Sequence, residues 1–314
     1  MSDSTVLVSG GTGSSVDGAW RSLLERGHRV RTTVRDLGRE AVVREAVSRT
    51  GVDAGDRLAV LSADLTSDDG WAAAVAGCRY VLHVASPFPP AQPKDPDELI
   101  VPARDGALRV LRASLDAGVE RVVMTSSVAA IRGSRQSSES APFTEADWTD
   151  ADDRERTPYV RSKTIAEKAS WELVRKAGDE DRLAVVNPGA IIGPRLPGAD
   201  STSLQAIQRL LDGMPAMPRL GFTFVDVRDV ADLHLRAMTD PAGGGERFIA
   251  ADTFLWTADV AAVIRERLGE AAPKVPTRVA PNLLVRAMAL FDGSVRPYVN
   301  DLGRRQWISS DKAR

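Results

Sequence analysis

Residues Val6-Leu7-Val8-Ser9-Gly10-Gly11-Thr12-Gly13 run from a short apolar stretch directly into a glycine-rich turn. An unbroken apolar run of this kind suits a strand buried on both faces. A helical pattern over residues 19–26 follows, so the unit reads strand, glycine turn, helix. In that setting glycine permits a tight bend, and bare backbone N–H groups can approach a pyrophosphate at the positive end of the helix. The spacing Gly10-x-x-Gly13 is shorter at its start than GxGxxG. Val16 stands where a third glycine is expected, and Ser14-Ser15 replaces the usual larger apolar residues. Alone, such a turn is as often only a turn; its position between a strand and a helix is what places Gly10, Thr12, Gly13, Ser14 and Ser15 at a dinucleotide's phosphates.

Outward from this unit, residues 30–34, 58–61, 80–84, 121–125 and 183–186 repeat the short apolar pattern. Helix-like stretches over 39–48, 68–76, 96–117 and 157–176 separate them. Strands alternating with helices predict right-handed βαβ units and an α/β, Rossmann-type doubly wound parallel sheet. Thr157-Pro158 reads as a helix start, with Thr as the N-cap and Pro at the first helical position. Residues 132–157 are polar and acidic and include a turn-like Trp148-Thr149-Asp150. A connection of this length is usually functional or mobile, and it is expected over the C-terminal ends of the strands. Beyond Pro194 the chain is irregular and rich in Pro, Gly and Met, interrupted by helical patterns over 229–238 and 257–268. The expected division is a dinucleotide-binding domain over residues 1–190, carrying the catalytic residues, and a smaller substrate lobe over 191–314 with some segments returning to the first part.

The 314 residues suffice for a substantial core. With 41 basic against 43 acidic residues, the net charge of −2 gives no global field for nucleic acid or an anionic membrane. No apolar run approaches the ~20 residues needed to span a bilayer, and the first strand begins without a signal-like region. A single cysteine, Cys78, forms no internal disulfide and reads as a small buried residue. The profile is that of a cytoplasmic protein acting on small molecules, as a monomer or homodimer. His28, His83 and His234 lack metal-ligand spacing, so no metal site is expected, and His83 reads as a packing residue.

Val34-Arg35 ends the second strand. An Asp there would bind a ribose 2′-hydroxyl, whereas Arg can pair with a 2′-phosphate, so the expected cofactor is NADP(H). Arg39 or Arg44 is a candidate second positive group. Asp64-Leu65, after the third strand, is placed to meet the adenine end.

Tyr159 and Lys163 are four residues apart on a predicted helix and therefore share a face. A free tyrosine titrates near pH ~10 and is a poor acid at neutrality; a nearby ammonium favours the phenolate. The phenol can then give a proton to a carbonyl oxygen as hydride arrives. Thr125-Ser126-Ser127 closes the strand over 121–125, at the end where open α/β sheets place their ligands. A serine hydroxyl there can orient the substrate oxygen.

These motifs, in this order, resemble the extended short-chain dehydrogenase/reductase superfamily, above all its dihydroflavonol-reductase, cinnamoyl-CoA-reductase and bacterial aldehyde-reductase branch. The likeness runs through residues 30–36, His83-Val84-Ala85-Ser86-Pro87-Phe88, Thr125-Ser126-Ser127, residues 159–163 and Asn187-Pro188-Gly189. It implies Ser127, Tyr159 and Lys163 as the catalytic group, with Tyr159 and Lys163 also touching the cofactor. It implies Arg35 at the 2′-phosphate, and Val84, Ala85, Ser86, Pro188, Gly189, Ala190 and Ile191 along the cofactor. Three departures stand out. Asp105 takes the place of a relay asparagine, Arg132 that of a substrate-binding asparagine of plant flavonoid reductases, and the 14–16 segment is altered. The chain stops at Arg314, where relatives continue into another helix.

The expected substrate residues are Phe88, Arg132, Ile192, Met214 and Phe224; Met217 and Phe222 either join them or belong to the core. The expected activity is NADPH-dependent reduction of a ketone or aldehyde on an apolar, aryl-bearing molecule, reversible as alcohol oxidation. Imine reduction and hydroxysteroid oxidation fit the same hydride geometry, and a dinucleotide-sensing regulator is the non-catalytic alternative.

Overall fold

The apolar runs pair side by side as parallel strands. The computed structural model describes residues 4–11, 17–87, 93, 95–133, 135–194, 202–291 and 295–314. Its elements are β1 (Thr5–Val8), α1 (Asp17–Glu25), β2 (Arg29–Val34), α2 (Glu40–Ser48), β3 (Leu58–Ser62), α3 (Trp71–Val75), β4 (Tyr80–His83), α4 (Asp97–Asp116), β5 (Arg121–Thr125) and α5 (Pro158–Ala177). They continue as β6 (Leu183–Pro188), β7 (Ala190–Ile192), α6 (Thr202–Asp212), β8 (Gly221–Asp226), α7 (Val227–Thr239), β9 (Arg247–Ala250), β10 (Thr253–Trp256), α8 (Thr257–Leu268) and α9 (Asn282–Met288). A seven-stranded sheet has the order β3-β2-β1-β4-β5-β6-β9, and β10-β8-β7 form a second, three-stranded sheet.

All pairings in the large sheet are parallel: Val6 sits between Val30 and Tyr80, and Val123 between Leu82 and Ala184. The order turns back between β1 and β4, the position where doubly wound folds bind ligands. Alternate residues of each strand feed two cores. On one face, Val6 and Val8 pack with Trp20, Leu23 and Leu24 of α1 and with Val230, Leu235 and Met238 of α7. On the other, Leu7 and Val81 meet Val110 and Leu111 of α4 and Ala166, Trp171 and Val174 of α5. Each large side chain so buried contributes about 1.5–3 kcal/mol.

Helix α5 begins as its sequence predicts. Thr157 Oγ1 accepts the Val160 N–H at 3.2 Å, Pro158 opens the helix, and Gly178 closes it with φ 72°. Helix α3 is shorter than its pattern suggests. Gly70 precedes it with φ +84°, and a Cβ there would lie 2.2 Å from the Ser62 carbonyl oxygen, so the chain turns tightly against β3 before helix can start.

Two regions depart from the sequence expectation. The connection over 132–157 is pinned: Thr149 Oγ1 donates to the carbonyls of Ala129 (2.7 Å) and Arg132 (2.9 Å). Phe143 is buried and exchanges backbone bonds with the chain near the C-terminus, its N–H to Trp307 O (2.8 Å) and its carbonyl from Ser309 N–H (2.9 Å). The stretch after Pro194 is also more regular than it reads, containing α6, β8, β9, β10 and α9. Strand β9 returns to the large sheet beside β6, with Val185 opposite Arg247.

Candidate active site

The strand ends of the large sheet bring the predicted residues to one edge. Ser9, just after β1, is fully buried, and its hydroxyl accepts the N–H groups of Val84 (3.1 Å) and Ala85 (3.0 Å). Its own proton is left for His83 Nδ1, 2.9 Å away, which fixes the imidazole proton on Nε2. Burial, with help from the Lys163 charge, pushes His83 down to about 3, so it is neutral. This clip fastens the Val84–Ser86 segment to the glycine turn.

Gly10 has φ +81°, and a Cβ on it would meet Ala85 Cβ at 3.0 Å. Its N–H donates to Thr33 Oγ1 (3.2 Å) and that of Gly11 to Thr33 O (2.7 Å). Gly10 and Gly11 therefore shape the turn, and their amides are already engaged. A bare backbone between β1 and β4, leading into α1, fits a group that needs close main-chain approach, as a dinucleotide's phosphates do. Thr12, Gly13, Ser14 and Ser15 lie outside the described residues, as does Phe88.

Arg35 is exposed at the end of β2. It helps hold the Asp64 carboxyl below its ordinary range, behind the larger effect of the Thr66 N–H, which donates to Asp64 Oδ1 at 2.8 Å. Arg44 is engaged by Glu40 at 2.7 Å. Leu65 touches α4 at Gly106, and its carbonyl accepts from Arg109 Nη1 (2.8 Å). Pro188 ends β6, the Gly189 N–H donates to Ala250 O (2.9 Å), and Ala190 and Ile191 begin β7, all on the same edge.

Ser126 and Ser127 extend β5 and face opposite ways. Ser126 Oγ donates to Glu167 Oε2 at 2.5 Å, on the inner side of α5. Ser127 has φ −166° and ψ 154°, and its hydroxyl accepts the Ala129 N–H at 3.1 Å. Ser127 is also hydrogen-bonded to Tyr159, a bond that favours the phenolate. The expected depression of Tyr159 by Lys163 is not what the structure gives. Burial raises the phenol above its ordinary value, and the forces opposing this are the Ser127 bond and the Arg132 charge. Burial instead acts strongly on Lys163, lowering it to about 8, against the attraction of Glu167 one turn further on.

Arg132 is partly buried and close enough to Tyr159 for each to act on the other's charge. Its Nη1 donates to Gln306 Oε1 (2.9 Å) and lies 3.7 Å from Asp301, while its Nε is buried without a partner. Asp105, at the relay position, is paired with its neighbour Arg104 at 2.7 Å and is one-third exposed. Ile192 is half-buried at the end of β7, opposite Asp226 of β8. Phe224 is buried, edge-on to Phe222 at 6.3 Å. Met214 packs with Leu210, Met217, Ala261 and Val275 in a small core of the second lobe. The structure thus gathers Ser127, Tyr159, Lys163 and Arg132, and sets Met214 among core residues.

A family model, the NAD dependent epimerase/dehydratase family, matches residues 6–251, which span both cores of the seven-stranded sheet and all of its strands. The chain belongs to that family. Its curated relatives include the cinnamoyl-CoA reductase CAD2 of Medicago truncatula, 35% identical over 266 residues (83% of this chain, 80% of that protein). Another is tetraketide alpha-pyrone reductase 2 of Arabidopsis thaliana, 34% identical over 260 residues (81% and 80%). Among solved structures, Gre2 of Candida albicans in complex with NADPH superposes with a TM-score of 0.80 at 26% identity, covering 99% of this chain and 92% of that one. Within the family the chain is an extended short-chain dehydrogenase/reductase, an NAD(P)-dependent reductase of the dihydroflavonol- and cinnamoyl-CoA-reductase-like branch.

Sequence reasoning did not select Glu167, Asn187 or Arg247 as parts of the site. Glu167 is fully buried, and its carboxylate collects Ser126 Oγ, Asn187 Nδ2 (2.8 Å) and Arg247 Nε (2.6 Å). The available signal was spacing: positions 159, 163 and 167 share one helical face, and an acid there is out of place against a sheet.

Proposed function

We propose that this reductase uses NADPH to reduce a ketone or aldehyde on an apolar, aryl-bearing small molecule, with Tyr159 as proton donor, and that the reaction runs in reverse as alcohol oxidation. The observation that carries the reading is the Ser127–Tyr159 hydrogen bond with Lys163 one turn along the same helix face. Bound NADPH would supply the hydride to the carbonyl carbon. Ser127 Oγ, already directed at the Tyr159 hydroxyl, is suited to hold the carbonyl oxygen between them. Tyr159 then gives its proton to that oxygen, and a carbonyl plus hydride plus proton becomes an alcohol. Because burial keeps Tyr159 above its ordinary value, it is protonated at neutral pH and ready to donate. Lys163, charged below about pH 8, stabilises the phenolate left behind.

Arg35, at the exposed end of β2, supports a 2′-phosphate and hence NADPH. The described Candida albicans relative binds the same cofactor. Val84, Ala85, Ser86, Pro188, Gly189, Ala190 and Ile191 would line it, with Asp64 and Leu65 toward the adenine. The seven-stranded sheet would thus serve the cofactor and the segments after residue 190 chiefly the substrate. An aryl-bearing substrate is supported by the cinnamoyl-CoA-reducing relative. Loss of NADPH absorbance against a panel of aromatic aldehydes, ketones, cyclic imines and steroids tests the acceptor. Tyr159→Phe should lower carbonyl turnover about 10²–10⁴-fold while retaining NADPH binding; an unchanged rate removes Tyr159 from the reaction.

A further inference from the structure

Further along the helix face that carries Tyr159 and Lys163 lies a charged cluster that the reaction does not touch. Glu167 is fully buried on α5, one turn beyond Lys163 and two beyond Tyr159. Its carboxylate is the meeting point of three strands: Ser126 from the end of β5 (2.5 Å), Asn187 from β6 (2.8 Å) and Arg247 from β9 (2.6 Å). Asn187 Nδ2 also reaches the Ser127 carbonyl at 3.2 Å. Arg247 is in turn held by the carbonyls of Glu145 (2.5 Å) and Asp147 (2.9 Å) and stacks on Trp148 at 3.7 Å.

We propose that Glu167 is a positioning residue for the reduction, tying β5, β6 and β9 to the catalytic helix so that Ser127 meets Tyr159, and presenting the negative end of the Glu167–Arg247 pair to Lys163. The proposal rests on the assignment of Tyr159 and Lys163 given above. Two geometric facts carry it. The carboxylate consumes the hydroxyl of Ser126, so the extended backbone must turn Ser127 the other way, toward Tyr159. It also binds Asn187, which holds the Ser127 carbonyl, so both sides of the Ser127 backbone are tied to one group. The titratable neighbours of Lys163 are the Glu167 carboxylate on its own helix and the neutral His83 on β4. Arg247 on β9 acts on Glu167, and Arg132, after β5, acts on Tyr159. On α4, which packs on α5, Arg104 pairs with Asp105 and Arg109 with Asp68. With Glu167 lost, nothing else in this set attracts the Lys163 proton.

The test is the pH profile of kcat/KM for carbonyl reduction in Glu167→Gln and in Glu167→Gln/Arg247→Gln, beside Tyr159→Phe. Lys163 must be charged, so activity falls as pH rises through its titration. Removing a nearby anion should move that basic limb to lower pH by about one unit. The double variant, which leaves no unpaired buried charge, should move it the same way by less and decides alone if the single variant does not fold. An unmoved limb in a folded variant, with Tyr159→Phe inactive, overturns the role of Glu167 and leaves the function standing. An active Tyr159→Phe overturns both.

Discussion

Helix α5 works at two levels along one face, an outer and an inner one, and they treat charge in opposite ways. Toward the strand ends, half-buried Tyr159 and buried Lys163 both have their titrations displaced by loss of water, the phenol upward and the ammonium down to about 8. Toward the sheet, Glu167 and Arg247 are buried, but the carboxylate has three donors and the guanidinium two carbonyls and an aromatic face. The first side stores unfavourable electrostatics that chemistry can use. The second is a heavily bonded framework, although Arg247 Nη2 and Asn187 Oδ1 are buried without partners, and such a framework is what holds the first in place.

The contrast can be broken most forcefully at Arg247. Arg247→Met leaves Glu167 buried without its counter-charge and should lower stability by about 3–5 kcal/mol, read from urea unfolding. Equal stability to the parent would show that the inner side is not a charge support. Lys163→Met should do the reverse. A lysine held at about 8 rather than 10.5 disfavours the folded state by on the order of 3 kcal/mol while it is charged. The variant should therefore be more stable, though inactive. The sign follows from the order of titration: the gain is complete below about pH 8 and fades towards 10.5, because there the folded lysine has already lost its proton and the unfolded one has not. A lysine variant that is less stable at pH 7 would contradict the account.

The adjacent serines sharpen the comparison. Ser127→Ala should cost turnover about 10²-fold, since it removes a donor aimed at the reacting oxygen, and about 1 kcal/mol of stability, since it uncaps the Ala129 N–H. Ser126→Ala should leave turnover within a few-fold and lower stability by about 1–3 kcal/mol, having left a buried carboxylate short of a donor. Thr157→Ala offers the smallest effect, about 1 kcal/mol, because the cap serves the helix and not either side of it.

Much of this was readable before any coordinates. Most of the first six strands are short, largely apolar runs, so burial on both faces left a one-dimensional mark. Thr157-Pro158 marked the start of α5, and the Tyr159–Lys163 spacing marked its active side. The inner side left almost none. Glu167 looks like any helix acid until β9 brings Arg247 to it from 80 positions away. Strand β9 carries only Phe248-Ile249-Ala250 after its arginine, a shorter apolar run than Leu183–Val186 of its neighbour β6. Tyr159's raised titration was equally hidden, because it comes from how far the ring is withdrawn from water, which a linear spacing rule does not weigh.

The backbone clasp between Phe143 and residues 307–309 has a consequence in time. Phe143 leaves the ribosome long before Trp307 is made, and at ordinary synthesis rates the interval is roughly ten to thirty seconds. Through that period the chain adds β6 and then β9 to the sheet while the Phe143 ring still lacks the cover of residues 307–309. Such a surface invites a chaperone or a neighbouring polysome chain, and a stalled translation product ending before residue 307 would keep it open permanently.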